Sequence, residues 1–302
     1  MTEAADPRYG AIDRWPAAAG LAAIWEGQLA AVAAVGPALP ALATAVEAAA
    51  GRLQGGEGRI VYAGAGSSIR AAVQDGAELG PTFDWPSARL AYLIAGGEAA
   101  LLHAAEGAED DAADARAQIA AAGIGPADVV LALAASGRTP FTLAATGAAR
   151  DAGALTVGIA CAAGSPLLAA AEHPVLVSTG AEPVAGSTRM KAGLAQKAVL
   201  ALFSTQLMIA LGRVHDGLMV DMRPLNAKLR SRARAMVARI AGVEDAVAAA
   251  ALEAAGGRIK PAVLVALGMA PDAAGAALHD AGGRLRMAMA ALPADASRRG
   301  PG

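Results

Sequence analysis

The stretch from Asp128 to Pro140 reads DVVLALAASGRTP. Its first half is an unbroken apolar run rich in Val and Leu, the pattern of a strand buried on both faces. Its second half places two hydroxyls, a glycine and a cation before a proline, the residue best tolerated in a first helical turn. Four more runs share the character of the first half: Arg59 to Ala63 (RIVYA), Leu90 to Ala95 (LAYLIA), Leu155 to Ala160 (LTVGIA) and His173 to Ser178 (HPVLVS). Between most of them lie Ala-rich stretches of helical composition, such as Ser68 to Leu79, Asp110 to Ala122 and Phe141 to Ala152. Strand alternating with helix predicts β-α-β units and an α/β fold built on a doubly wound, five-stranded parallel sheet.

Outward from that sheet the pattern changes. Before the first run, Pro16, Pro37 and Pro40 break an N-terminal helical segment, taken as residues 1–52. After the fifth run a long helix is expected from Ser187 to Gly212, closing a sheet domain of residues 53–225. Only helical patterns follow, over 226–302. Gly-Gly pairs at Gly256 and Gly282 and a proline at Pro271 cut them into short helices, and the tail after Leu292 is expected to be disordered. The uncharged stretch Ala152 to Ala171 reaches membrane-spanning length, but its three glycines and Pro166 divide it into strand, turn and helix of a buried core.

Composition narrows the functional classes. The chain has 302 residues, 25 Lys+Arg against 27 Asp+Glu and a formal net charge of -2. Such a balance generates no broad field for phosphate backbones or anionic lipid, so neither a nucleic-acid nor a membrane partner is expected, although a local basic pocket stays open. The lone cysteine, Cys161, cannot form an intramolecular disulfide, which fits the cytoplasm. The acidic, polar first ten residues lack the apolar core of a secretory signal.

Three small polar loops carry the functional signal. The first run ends in Gly64-Ala65-Gly66-Ser67-Ser68-Ile69-Arg70. That loop begins like a dinucleotide fingerprint but has Ile69 where the third glycine belongs, and the second run ends in Gly96-Gly97 before Glu98 rather than in a ribose-binding acid. What remains is a hydroxyl-bearing loop entering a helix, suited to a phosphate or, more plainly, to helix capping. Ser136-Gly137-Arg138-Thr139 repeats the chemistry after the third run, and Ser187-Thr188-Arg189-Met190-Lys191 repeats it at the expected start of the long helix. Loops at the carboxyl ends of adjacent parallel strands converge on one crevice. Together they favour a phosphorylated small molecule.

Carboxylates are the other reactive groups. Glu78 stands near the end of the first helix, and Glu106 and Glu109 stand in an acidic run, Glu106-Gly-Ala-Glu109-Asp110-Asp111. A carboxyl raised in pKa by burial can give a proton while an ionised partner takes one, with no metal. Glu109, Asp110 and Asp111 also suit the first turn of a helix. The four histidines form no ligand cluster, no phosphate-loop lysine motif or serine elbow occurs, and Cys161 reads as a small buried hydrophobe. No metal or cofactor is expected.

The blocks Gly64 to Thr82, Ile94 to Glu98, Glu106 to Asp110, Ala134 to Pro140, and above all Gly186-Ser-Thr-Arg-Met-Lys-Ala-Gly193 with Gln196-Lys197, resemble the N-acetylmuramic acid 6-phosphate etherase family. The likeness continues through Leu218 to Asp221 and Asn226 to Lys228 and so covers nearly the whole chain. It departs at Ile69 and Gly80. The resemblance implies the sugar isomerase (SIS) type of αβα sandwich and a homodimer. It also implies cofactor-free cleavage of the D-lactyl ether to N-acetylglucosamine 6-phosphate and D-lactate, as in cell-wall recycling. By the same pattern Glu78 is the acid and Glu109 the base. Ser67, Ser68, Glu106, Ser136, Gly137 and Thr139 hold phosphate and sugar, with Ser187, Thr188 and Arg189 closing the pocket. A sugar-phosphate sensor and a phosphosugar isomerase of the same fold are the alternatives.

Overall fold

The computed structural model describes residues 4–103 and 105–292, so the tail after Leu292 lies outside the described residues. Each apolar run supplies one strand: β1 (Ile60–Gly64), β2 (Leu90–Ile94), β3 (Val129–Leu133), β4 (Leu155–Ala160) and β5 (His173–Leu176). All pair in parallel, in the order β2-β1-β3-β4-β5. Every residue of β1, β3 and β4 is buried. The edge strands β2 and β5 are only partly covered, so burial on both faces holds for the three inner strands alone. An edge strand lacks a neighbour on one side, which is also where a proline such as Pro174 is tolerated.

Twelve α-helices occur among the described residues: α1 (Ala17–Ala33), α2 (Leu39–Leu53), α3 (Gly66–Phe83), α4 (Ala112–Ala121), α5 (Pro140–Asp151), α6 (Pro166–Ala170), α7 (Lys191–Ala210), α8 (Ala227–Ala241), α9 (Asp245–Ala254), α10 (Ile259–Ala266), α11 (Pro271–Asp280) and α12 (Leu285–Ala290). A 3-10 turn at Gly36–Ala38 separates α1 from α2, where the prolines predict a break. By compactness the chain forms two units, Met1–Ala77 with Ser87–Thr205, and Glu78–Pro86 with Gln206–Gly302. The chain passes from one to the other inside α3, returns between Pro86 and Ser87, and passes again inside α7.

In the first unit, α4 and α5 cover one face of the sheet, where Ala115, Ile119, Phe141, Ala145 and Ala149 cluster with Val61, Ala63, Val130 and Ala132. On the alternate strand positions Tyr62 faces α3 and donates a hydrogen bond to Asp75 Oδ2 at 3.0 Å. The other oxygen of Asp75 accepts from Ser204 of α7 at 3.2 Å and lies 3.8 Å from Lys197 Nζ. Burial raises the pKa of Asp75, opposed by these partners, and burial also holds the Tyr62 hydroxyl well above its usual range. At the amino ends of the strands, Asp128 receives Nη2 of Arg59 at 2.7 Å and the backbone N–H of Arg59 at 2.9 Å, tying β1 to β3. The second unit has its own apolar core, drawn from α8 to α12 with Val220 and Met222.

Among the described residues two stretches, Ala17–Leu53 and Lys191–Ala210, are long and apolar enough to cross a membrane by length and composition. The 3-10 turn interrupts the first. Half of the second is buried inside the protein, with Phe203 and Leu207 almost wholly enclosed.

Candidate active site

Winding reverses between β1 and β3. These strands are direct neighbours, while β2 and β4 lie on their outer sides. Gly64 pairs with Leu133 at their carboxyl ends, so the loops that follow leave the sheet side by side. This is the position at which an open α/β sheet forms its ligand crevice.

The first loop enters α3 at once. Ser67 is half-buried, whereas Ser68 is 6% exposed and donates to Gln196 Oε1 at 2.8 Å. The proton of the Ser68 hydroxyl is therefore committed to the protein. Ile69 is 1% exposed and turns into the core beside Gly64, so its bulk lies in the core packing rather than in an open loop. Arg70 donates to the carbonyls of Leu101 and Ala100 at 2.8 and 2.9 Å, pinning the segment that follows β2.

In the second loop Ser136 Oγ accepts from the Arg138 N–H at 3.2 Å. Gly137 is buried with φ +63°, and a Cβ there would meet Ser165 Oγ at 2.2 Å. Only glycine satisfies both demands. Thr139 occupies the N-cap position of α5 but makes no side-chain bond to the helix, so helix capping does not use its hydroxyl.

The third loop differs from expectation. The long helix starts at Lys191, not at Ser187, because the buried carboxylate of Glu182 accepts from the N–H groups of Lys191 and Ala192 at 2.8 and 2.9 Å. That anion caps the helix end. Lys191 itself is 4% exposed and its Nζ donates to Ala181 O at 2.8 Å, so this cation serves the loop. Ser187 and Thr188 are half-buried and Arg189 is exposed, all in the irregular segment before α7. The first turns of α7 gather the three loops. Ala192 packs with Ala135 and Cys161, and Gln196, one turn on, holds Ser68.

The carboxylates occupy exposed positions. Glu109 sits in a 3-10 turn, Ala108–Asp110, ahead of α4. The cap of α4 is Asp111, which accepts from the N–H groups of Ala113 and Asp114. The acidic run is thus divided: Asp111 caps, and Glu109 is outside the helix it was expected to open. Glu106 and Glu109 are exposed, as is Glu78 on α3, where the chain enters the second unit. Cys161, by contrast, is 5% exposed and its thiol is pushed up to about 12 by burial, as suits a packing residue. Among the described residues no group of three His, Cys, Asp or Glu side chains could hold a metal ion.

Glu182 and Asp75 escape a motif-based reading, since each is defined by partners far along the chain or by backbone N–H groups. Removing the Glu182 carboxylate by Glu182→Ala leaves two N–H groups of α7 unpaired and should cost about 2 kcal/mol. Urea unfolding at pH 7 checks this; Glu182→Gln, which keeps one acceptor oxygen, should lose less, and equal stability of all three proteins would show that the cap contributes nothing.

Residues 41–148 match the family model described as glucokinase regulatory protein N-terminal SIS domain. Over longer spans the chain is similar to curated proteins named N-acetylmuramic acid 6-phosphate etherase. It is 49% identical to that of Deinococcus radiodurans over 269 residues, 89% of this chain and 88% of that one. It is 46% identical to that of Rubrobacter xylanophilus over 240 residues, 79% of each chain. With that of Streptomyces avermitilis the identity is 45% over 268 residues, 88% and 86% of the two chains.

Proposed function

The chain belongs to the N-acetylmuramic acid 6-phosphate etherase family, and from that membership we propose how its own residues perform the reaction. It is an enzyme, a carbon–oxygen lyase that releases D-lactate from N-acetylmuramic acid 6-phosphate and leaves N-acetylglucosamine 6-phosphate. The observation that carries this reading is 49% identity across nearly nine-tenths of both chains. The paired loops at the β1–β3 reversal support it.

In the proposed reaction the ring-opened sugar presents a C1 aldehyde, which acidifies the proton on C2. The Glu109 carboxylate removes that proton. The C3–oxygen bond then breaks, and the lactyl oxygen takes a proton from the Glu78 carboxyl as lactate departs. Water adds to the resulting double bond at C3 and a proton returns to C2. Ser67, Ser136, Gly137 and Thr139 hold phosphate and sugar at the crevice. Ser68 keeps α3 against α7 and offers its oxygen as an acceptor only. Glu106, Ser187, Thr188 and Arg189 line the entrance.

Both proposed catalytic carboxylates are exposed in the single chain, and substrate together with a second copy encloses them, admitting only the water that adds at C3. A homodimer is supported by α1, whose Leu21, Trp25, Leu29 and Val32 recur at helical spacing and are 48–68% exposed. An apolar stripe of that kind on a folded domain marks a contact surface. An unpaired thiol and a phosphorylated substrate suit the cytoplasm and a role in peptidoglycan recycling and amino-sugar catabolism.

Two substitutions separate the carboxylates. Glu109→Gln should abolish exchange of the C2 hydrogen with deuterated solvent, whereas Glu78→Gln should slow lactate release while exchange continues. Full activity of either variant would reject its assigned role. For assembly, Leu21→Asp with Trp25→Asp should convert the dimer to a monomer in sedimentation experiments and lower lactate release with it; a dimer that survives the change would move the contact away from α1.

A further inference from the structure

The second unit holds a concave site that the etherase reaction does not use. A cavity of about 700 Å3 opens there, in the size range of small-molecule pockets, and its lining includes Arg223, Arg230, Arg258 and Lys260 against Asp84 and Asp221. Both acids are already answered. Asp84 pairs with Arg223, and Asp221 accepts from the buried Lys260 Nζ at 2.5 Å. Lys260 also donates to Gly283 O at 2.8 Å, which fixes it at the cavity wall. Arg230 and Arg258 are exposed and have no carboxylate partner among the described residues.

A second observation points the same way. Helix α8, which supplies Arg230, carries Lys228, Arg230, Arg232, Arg234 and Arg239 and no acid over its fifteen residues. Asp245 pairs with Arg234 at 2.6 Å, and Glu253 stands in a neighbouring recess that shares Arg230. Arg239 lies near enough to Asp216 to lower its pKa, which leaves Lys228, Arg230 and Arg232 with no carboxylate ion pair among the described residues, in a chain whose formal net charge is -2. Guanidinium forks bind phosphate oxygens in pairs, and two of them lining one concave volume suit a compact anion.

We propose that this cavity is an anion-binding site of the second unit, taking a phosphorylated small molecule through Arg230 and Arg258. Its concave form favours a small ligand over a nucleic acid or a membrane surface, either of which would need the basic charge spread over an open face.

Pyrophosphate is the probe, titrated calorimetrically into the full chain, into Arg230→Ala with Arg258→Ala, and into Ser67→Ala with Ser136→Ala. The arginine variant should lose one binding event by about tenfold or more, the scale of a lost charge-assisted contact, and the serine variant should keep it. Lactate release by the arginine variant without pyrophosphate should match the native protein. Should the alanine variant melt early, Arg230→Lys with Arg258→Lys keeps the charge and should bind with intermediate affinity. The proposal is overturned by pyrophosphate affinities within about twofold of native in the arginine variant. It is equally overturned by loss of lactate release there, which would assign the arginines to the reaction itself. Arginine-dependent binding of a single-stranded oligonucleotide or of anionic vesicles, with no pyrophosphate binding, would also overturn it.

Discussion

Direct pairing of β1 with β3 sets the rest of the first unit. Because β2 lies on the far side of β1 and β4 on the far side of β3, the chain must wind in opposite directions from this pair. The loops that follow have no crossing helix between them. Gly64 and Leu133 end in register, so residues 65–68 and 134–139 emerge as neighbours. Helix α7 then locks them, touching the second loop through Ala192 and the first through Gln196.

Helix termini in this unit fall into two kinds. Asp111 closes the N-terminus of α4 and Glu182 that of α7, each through a carboxylate accepting two backbone N–H groups. The helices that start at the β1–β3 reversal lack such anions: neither α3 nor α5 has an acid in its first turn, and Thr139 forms no side-chain cap. A helix end already neutralised by a protein carboxylate has little left to offer an external phosphate, whereas an open one attracts it. Both helices that start at the crevice therefore keep their N-termini open to an anion.

Much of this was legible in the sequence, for identifiable reasons. Inner strands covered on both faces appear as continuous apolar runs, and β4 matches its run, Leu155 to Ala160, residue for residue. The edge strand β5 stops at Leu176, two residues before its run does, because Val177 stays buried without strand geometry. Helix α3 runs on through Gly80 and Pro81, past the Ser68 to Leu79 stretch of helical composition; a proline in the last turn removes one N–H and leaves the preceding turns intact. The start of α7 was misread since the deciding atom is the carboxylate of Glu182, nine residues before Lys191, and no local pattern reports such a contact. Lys191 stands in the polar cluster by sequence, yet its Nζ is spent on the Ala181 carbonyl, a partner that only the fold reveals. The hydroxyl loops were readable as types, but which hydroxyl is spent on packing, as at Ser68, depends on Gln196, 128 residues away.

Family membership fixes the chemistry at C3 of the sugar, and the decisive question is which carbon–oxygen bond breaks. The measurement is product analysis of N-acetylmuramic acid 6-phosphate turned over by the purified chain in water enriched in oxygen-18. Elimination followed by hydration gives D-lactate and N-acetylglucosamine 6-phosphate in equal amounts, with unlabelled lactate and one heavy oxygen at C3 of the sugar. Heavy oxygen in the lactate hydroxyl, or no lactate at all, would contradict it.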